Sequence, residues 1–129
     1  MAKKPDKPFR IIDRVKSFGY AYKGIGYALK TQHNIWIHCL LTIAVLAFGF
    51  WLNVNQTEWI LLVFAIGFVL VSELFNTAIE VLVDLVSPEQ NPKAGLIKDI
   101  SAGSVLLSTI TAALIGLIIF IPKIIHLCF

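Results

Sequence analysis

Three long apolar stretches constrain this chain more than any other feature. Residues 36–52 form a run of 17 with His38 as its only strongly polar member, residues 59–86 a run of 28, and residues 100–121 a run of 22 that ends at Pro122. The first is near the lower limit for crossing a hydrocarbon core of about 30 Å. The second, at about 1.5 Å per residue, reaches about 42 Å, so its far end must tilt or leave the hydrocarbon. The third reaches about 33 Å, and Pro122 is expected to stop the regular helix. The expected fold is an all-α membrane protein with three transmembrane helices, at 36–52, 59–86 and 98–121. With 57% apolar and 15% charged residues, against about 45–50% and 25% in soluble domains, a water-soluble globule is not expected. A length of 129 residues fits one domain, with no space for a catalytic module beside a membrane anchor. Any chemistry must sit in the apolar part itself.

Charge is distributed unevenly. Residues 1–34 hold eight Lys/Arg against Asp6 and Asp13, or +6, while the remainder holds three bases against six acids, or −3. The first connection carries no base, whereas the second carries Lys93 with Lys98 just after it. By the positive-inside rule the N-terminus is expected in the cytoplasm and the C-terminus outside, with Trp36, Trp51 and Trp59 at the interfaces. Within residues 9–32, Ile11, Ile12, Val15, Phe18, Tyr22, Ile25 and Leu29 recur at three- and four-residue steps with bases between them. That pattern predicts an amphipathic helix in the cytoplasmic headgroup layer, so the basic arm is assigned to a membrane surface and no nucleic-acid partner is expected. The first apolar run starts too late, behind a basic stretch, for a cleavable signal peptide. Cys39 and Cys128 lie near opposite ends of the apolar region; they are read as unpaired, with no disulfide framework or zinc site.

Acids inside the second span are unexpected. At 100° per residue, Glu73, Asn76, Thr77, Glu80 and Asp84 fall within an arc of about 100° on one helix face. Such groups are costly in hydrocarbon, about 2.5–3.5 kcal/mol at the bilayer centre on insertion scales, and normally face a partner, a metal or water. Glu73 is fifteenth from Trp59 and so the deepest, whereas Glu80 and Asp84 approach the cytoplasmic interface. The other spans offer no spare base, which makes a cation from solution the natural complement, and carboxylate oxygens suit Mg²⁺. Lys98-Asp99, at the cytoplasmic start of the third span, is either an interfacial ion pair or a complement to that acid face. In the second case the set holds what phosphoryl transfer requires: a cation for phosphate, acids for metal, and a base for a hydroxyl proton.

Neither G-x-x-x-x-G-K-[ST] nor a strand-borne G-x-G-x-x-G is present. Any nucleotide site is therefore of another type. Ser101, Ser104, Ser108 and Thr111 are spaced for close helix packing. His33, His38 and His126 are too scattered for a ligand set, and His38 is read as a satisfied polar residue facing the bundle. An alternative in a different class is a small proton- or cation-conducting membrane subunit with Glu73 and Glu80 as relay carboxylates.

The string from Glu73-Leu-Phe-Asn-Thr-Ala-Ile-Glu80 to Asp84, followed by Lys98-Asp99-Ile-Ser-Ala-Gly-Ser-Val-Leu, resembles the small prokaryotic integral-membrane lipid kinases, diacylglycerol kinase and its undecaprenol kinase relatives. The likeness extends from Gly19-Tyr-Ala-Tyr-Lys-Gly to the third span. It implies a homotrimer in the bacterial cytoplasmic membrane, each subunit with a surface helix and three spans. It also implies transfer of the γ-phosphate of ATP to a lipid hydroxyl on the cytoplasmic side. By resemblance Glu73 is the general base beside the lipid hydroxyl, with Asn76 next to it, and Glu80 holds Mg²⁺ against the phosphates. Lys98, Asp99, Glu89, Gln90, Asn91 and Tyr20 match nucleotide-contacting positions; an arginine of the surface helix, Arg10 or Arg14, is also expected there. Gln32 stands where the family commonly places a second metal-binding glutamate, and an amide oxygen is a weaker Mg²⁺ ligand than a carboxylate. Ser-Pro-Glu-Gln-Asn-Pro and Asn-Ile-Trp-Ile-His resemble the undecaprenol kinase branch, which favours a polyprenol over diacylglycerol as acceptor.

Overall fold

The computed structural model describes residues 10–89 and 91–128. Four helices follow one another: α1 (Ile11–Thr31), α2 (His33–Trp51), α3 (Gln56–Val86) and α4 (Pro92–Cys128). The last three are each long and apolar enough to cross a membrane. α3 is the central element. It packs along α4 over most of its length and less extensively on α2, while α1 meets α2 and α3.

Helix boundaries depart from the sequence reading in instructive ways. α1 and α2 are separated by a single extended residue, Gln32 (φ −108°, ψ 114°), so the first span begins at His33 rather than at residue 36. No glycine or proline marks this break. Its terminal carbonyls are satisfied locally and by α2: Gln32 N–H donates to Ala28 O at 2.9 Å, Thr31 Oγ1 to Tyr27 O at 2.9 Å, and Trp36 Nε1 to Leu29 O at 2.8 Å. The Trp36 indole thereby clips the start of α2 to the end of α1.

α4 overruns its expected limits at both ends. It starts at Pro92, where a missing N–H costs nothing and φ is already helical. Asn91 caps it, its Oδ1 accepting from Lys93 N–H at 2.9 Å. At the far end the helix continues through Pro122 to Cys128 instead of stopping at Ile121. Pro122 removes one backbone donor, a loss that membrane helices tolerate where neighbours compensate. Here Lys123 Nζ lies 2.9 Å from Glu58 Oε2, tying the continuation to the start of α3.

That end of the bundle holds a hydrophobic cluster. Asn53 takes a left-handed conformation (φ 50°), which asparagine adopts more readily than most residues, and Asn55 and Glu58 form a reciprocal capping box for α3. Above this turn Val54, Leu62 and Ile119 form a buried cluster flanked by Val45, Trp59, Ile115 and Phe120. Trp59 is half-buried, because its ring lies over Gly49, where a Cβ would approach Cη2 to 2.7 Å. Elsewhere many large apolar side chains point outward; Phe64, Phe75, Leu85 and Ile118 are all at least 66% exposed. Such an inverted surface matches a lipid-facing membrane protein. Cys39 and Cys128 are both free, and of the small-residue stripe on α4 Ser101 and Ser108 are buried whereas Thr111 is exposed.

Candidate active site

The acid face of α3 runs from a dry interior to an open surface. Glu73 (2% exposed), Asn76 and Thr77 are buried, Glu80 is half-buried and Asp84 is exposed. The helical repeat puts these groups in one column, and packing against α2, α1 and α4 grades their access to water. Glu73 and Glu80, seven residues apart, are separated by about 10 Å along the helix axis.

Around Glu73 the polar groups are few. Thr77 Oγ1 donates to the Glu73 backbone carbonyl at 2.9 Å, which leaves the carboxylate to others. His38 of α2 brings Nε2 to 3.1 Å from Glu73 Oε1. This contact lies outside the angular range of a hydrogen bond, so Oε1 is buried without a directed donor.

Two turns along, Glu80 is gripped by amides. Asn76 Nδ2 donates to Oε1 and Gln32 Nε2 to Oε2, both at 2.9 Å. Gln32 can reach because it is the extended residue between α1 and α2. Among the described residues no three His, Cys, Asp or Glu converge on one point. An oxygen-rich site nevertheless exists: Glu80 supplies a carboxylate, and Asn76 Oδ1 is buried without a partner. Since O and N of an amide exchange places by a half-turn, Gln32 and Asn76 can offer carbonyl oxygens to the same point. One carboxylate with neutral oxygens fits Mg²⁺, which is commonly bound by one or two carboxylates together with substrate phosphates.

The open end is organised by the other helix. Lys98 of α4 forms its ion pair with Asp84 of α3 rather than with Asp99, its neighbour in sequence. Successive helical residues point about 100° apart, which separates Lys98 from Asp99; Asp99 is exposed. Asp84, Lys98, Glu89 and Asn91 line a cleft of about 530 Å³ between the α3 and α4 ends, within the usual range for ligand pockets. Gln90 lies outside the described residues. Tyr20 is exposed on α1, with Lys23 Nζ 6.0 Å from its ring centroid. It is about 18 Å along that helix from Gln32, so within one chain the structure does not bring it to the Glu80 site. Arg10 and Arg14 are exposed.

Thus Gln32, Asn76 and Glu80 come together, Glu73 lies deeper on the same face, and Lys98, Asp84, Glu89 and Asn91 share the cleft. Two partners escape the sequence reading. His38 was expected to be satisfied within the bundle, and its meeting with Glu73 could have been inferred because it is the one strongly polar side chain of its span. The Asp84–Lys98 pair carries no such signal, since Asp99 adjoins the same lysine.

A family model for prokaryotic diacylglycerol kinase matches residues 19–120. The chain is 39% identical over 108 residues to the undecaprenol kinase of Bacillus subtilis, covering 84% of this chain and 88% of that one. It is 36% identical over 112 residues to the diacylglycerol kinase of Synechocystis, covering 86% of this chain and 64% of that one. Identity to the diacylglycerol kinase of Escherichia coli is 27% over 100 residues, 78% of this chain and 82% of that one. The match takes in α2, α3 and the acid face together with Lys98, and the chain belongs to the prokaryotic diacylglycerol kinase family of membrane lipid kinases.

Proposed function

We propose that the chain transfers the γ-phosphate of ATP to the hydroxyl of a membrane lipid alcohol, with Glu73 as general base. The observation that carries this reading is the graded acid column of α3: a buried, undirected carboxylate at Glu73, two turns away an amide-held, half-buried carboxylate at Glu80, and one turn further Asp84 in the Lys98 cleft. In the transfer, the lipid hydroxyl gives its proton to Glu73 as its oxygen bonds to the γ-phosphorus. The bond from that phosphorus to the β–γ bridging oxygen breaks, and its electron pair leaves with ADP. Glu80, Gln32 and Asn76 would hold Mg²⁺, which when bound neutralises charge on the phosphates. Lys98 and Asp99, with Glu89, Gln90 and Asn91 of the α3–α4 connection, contact the nucleotide.

Depth supports this division of labour. The helix face leads from the buried Glu73, which meets a lipid substrate, outward to the cleft where a water-soluble nucleotide enters. The reading places the N-terminus, α1 and the active site on the cytoplasmic side of the bacterial cytoplasmic membrane and α1 in the headgroup layer, following the Lys/Arg distribution. In a homotrimer, which the family resemblance implies, the exposed Tyr20 meets nucleotide at a neighbouring subunit. A polyprenol is the favoured acceptor, supported by the 39% identity to a protein named undecaprenol kinase. The alternative of a conducting subunit with relay carboxylates requires flux without ATP. Family membership favours the kinase over it.

The test is purified protein with Mg-ATP and a panel containing undecaprenol and diacylglycerol. Phosphorylation of the polyprenol above diacylglycerol is expected. No phosphorylation of any lipid alcohol, with ion flux in liposomes lacking ATP, would overturn the proposal.

A further inference from the structure

His38 sits at an unusual junction. Its side chain is 13% exposed, that of Glu73 is 2% exposed, and Nε2 stands 3.1 Å from Glu73 Oε1. Three neighbouring donors are committed elsewhere: Thr77 Oγ1 to the Glu73 carbonyl, Asn76 Nδ2 and Gln32 Nε2 to Glu80. A buried carboxylate oxygen without a donor is costly, and the His38 imidazole stands 3.1 Å from it. The same imidazole borders a cavity of about 440 Å³ between α2, α3 and α4, whose walls include Leu41, Val45, Leu62 and Val69. His38 therefore stands between an apolar groove within the membrane span and the proposed base.

We propose that His38 is the positioning residue of the phosphoryl-transfer step: its Nε2–H holds Oε1 of Glu73 and thereby presents Oε2 to the acceptor hydroxyl. A carboxylate on a two-carbon stem rotates freely unless one oxygen is anchored. Anchoring it converts a mobile base into one held in a near-attack geometry, and partners of this kind commonly govern rate more than binding. The inference rests on the reading of Glu73 as the base.

The experiment compares His38→Ala, His38→Gln, His38→Asn and Glu73→Gln in the full-length protein. It measures kcat, KM for Mg-ATP and for the accepted lipid, and nucleotide binding. His38→Ala is expected to lower kcat by about 10- to 100-fold with both KM values unchanged, the range found for orienting partners. The amide nitrogen of Gln occupies the place of Nε2 and that of Asn the place of Nδ1, so His38→Gln is expected to recover most of the rate and His38→Asn to stay with His38→Ala. In the Glu73→Gln background, His38→Ala is expected to change nothing further. If Glu73→Gln is inactive and His38→Ala is as fast as wild type, this inference fails and the base assignment survives. If Glu73→Gln itself is fully active, the base assignment fails and the inference with it. Equal loss in His38→Gln and His38→Ala overturns positioning by a donor.

Discussion

Replacing Gln32 by glutamate exchanges a donor for a charge at the most constrained point of the site. In the native chain Gln32 Nε2 donates to Glu80 Oε2 at 2.9 Å. In Gln32→Glu that hydrogen bond to a charged group, worth about 1.5–3 kcal/mol, is lost. Two carboxylates then face each other; relaxed to about 4 Å, they repel by about 4 kcal/mol at an effective dielectric constant near 20. Both residues are half-buried, and water and salt reduce that repulsion to about 1–2 kcal/mol. The metal-free protein should therefore be destabilised by about 2.5–5 kcal/mol. A divalent cation between the two acids removes the repulsion, and each 1.4 kcal/mol of relief is a tenfold gain in affinity, so Mg²⁺ half-saturation should fall about tenfold. Thermal unfolding in detergent, with EDTA and across a Mg²⁺ series, reads the first effect; the kinase rate against Mg²⁺ at fixed ATP reads the second. The variant should melt below wild type in EDTA and gain more from Mg²⁺. Equal melting in EDTA together with an unchanged Mg²⁺ dependence would refute the placement of Gln32 and Glu80 around one cation.

Three further outcomes follow from the geometry. Glu73→Gln should lower phosphoryl transfer by about 10²- to 10⁴-fold, the usual contribution of a general base, while nucleotide binding by equilibrium dialysis stays intact. Lys98→Met should raise KM for ATP with little change in KM for lipid, because Lys98 lines the cleft and Glu73 does not; an effect on the lipid KM alone would contradict that assignment. Gly49→Ala should destabilise the bundle by about 1–3 kcal/mol in a detergent melt, since the new Cβ meets the Trp59 ring at 2.7 Å and that ring is backed by Phe50 with centroids 4.8 Å apart. A stabilised variant would show that the ring moves freely.

Much of the architecture is legible without coordinates because it depends on local quantities. An apolar run of sufficient length must become a helix across a bilayer, since lipid leaves backbone groups no other partner. Likewise the 100° repeat must align Glu73, Asn76, Glu80 and Asp84 whatever surrounds them. Helix ends were less legible. The third span is expected from residue 98 and its helix starts at Pro92, and Pro122 reads as a stop yet is carried through, because each outcome depends on which neighbour satisfies the freed groups. The break at Gln32 has no sequence marker at all.

The amino-acid sequence by itself determined three spans, a basic arm and a single acid face, since these follow from hydropathy and helical period. Only the tertiary structure decided the pairings: Gln32 with Glu80, His38 with Glu73, and Lys98 with Asp84 in place of Asp99. The physical reason is that periodicity sets the direction of a side chain within its own helix, whereas a partner on another helix depends on the offset and rotation of two packed surfaces. That relation is settled by side-chain shape over the whole contact, and no local run of residues encodes it.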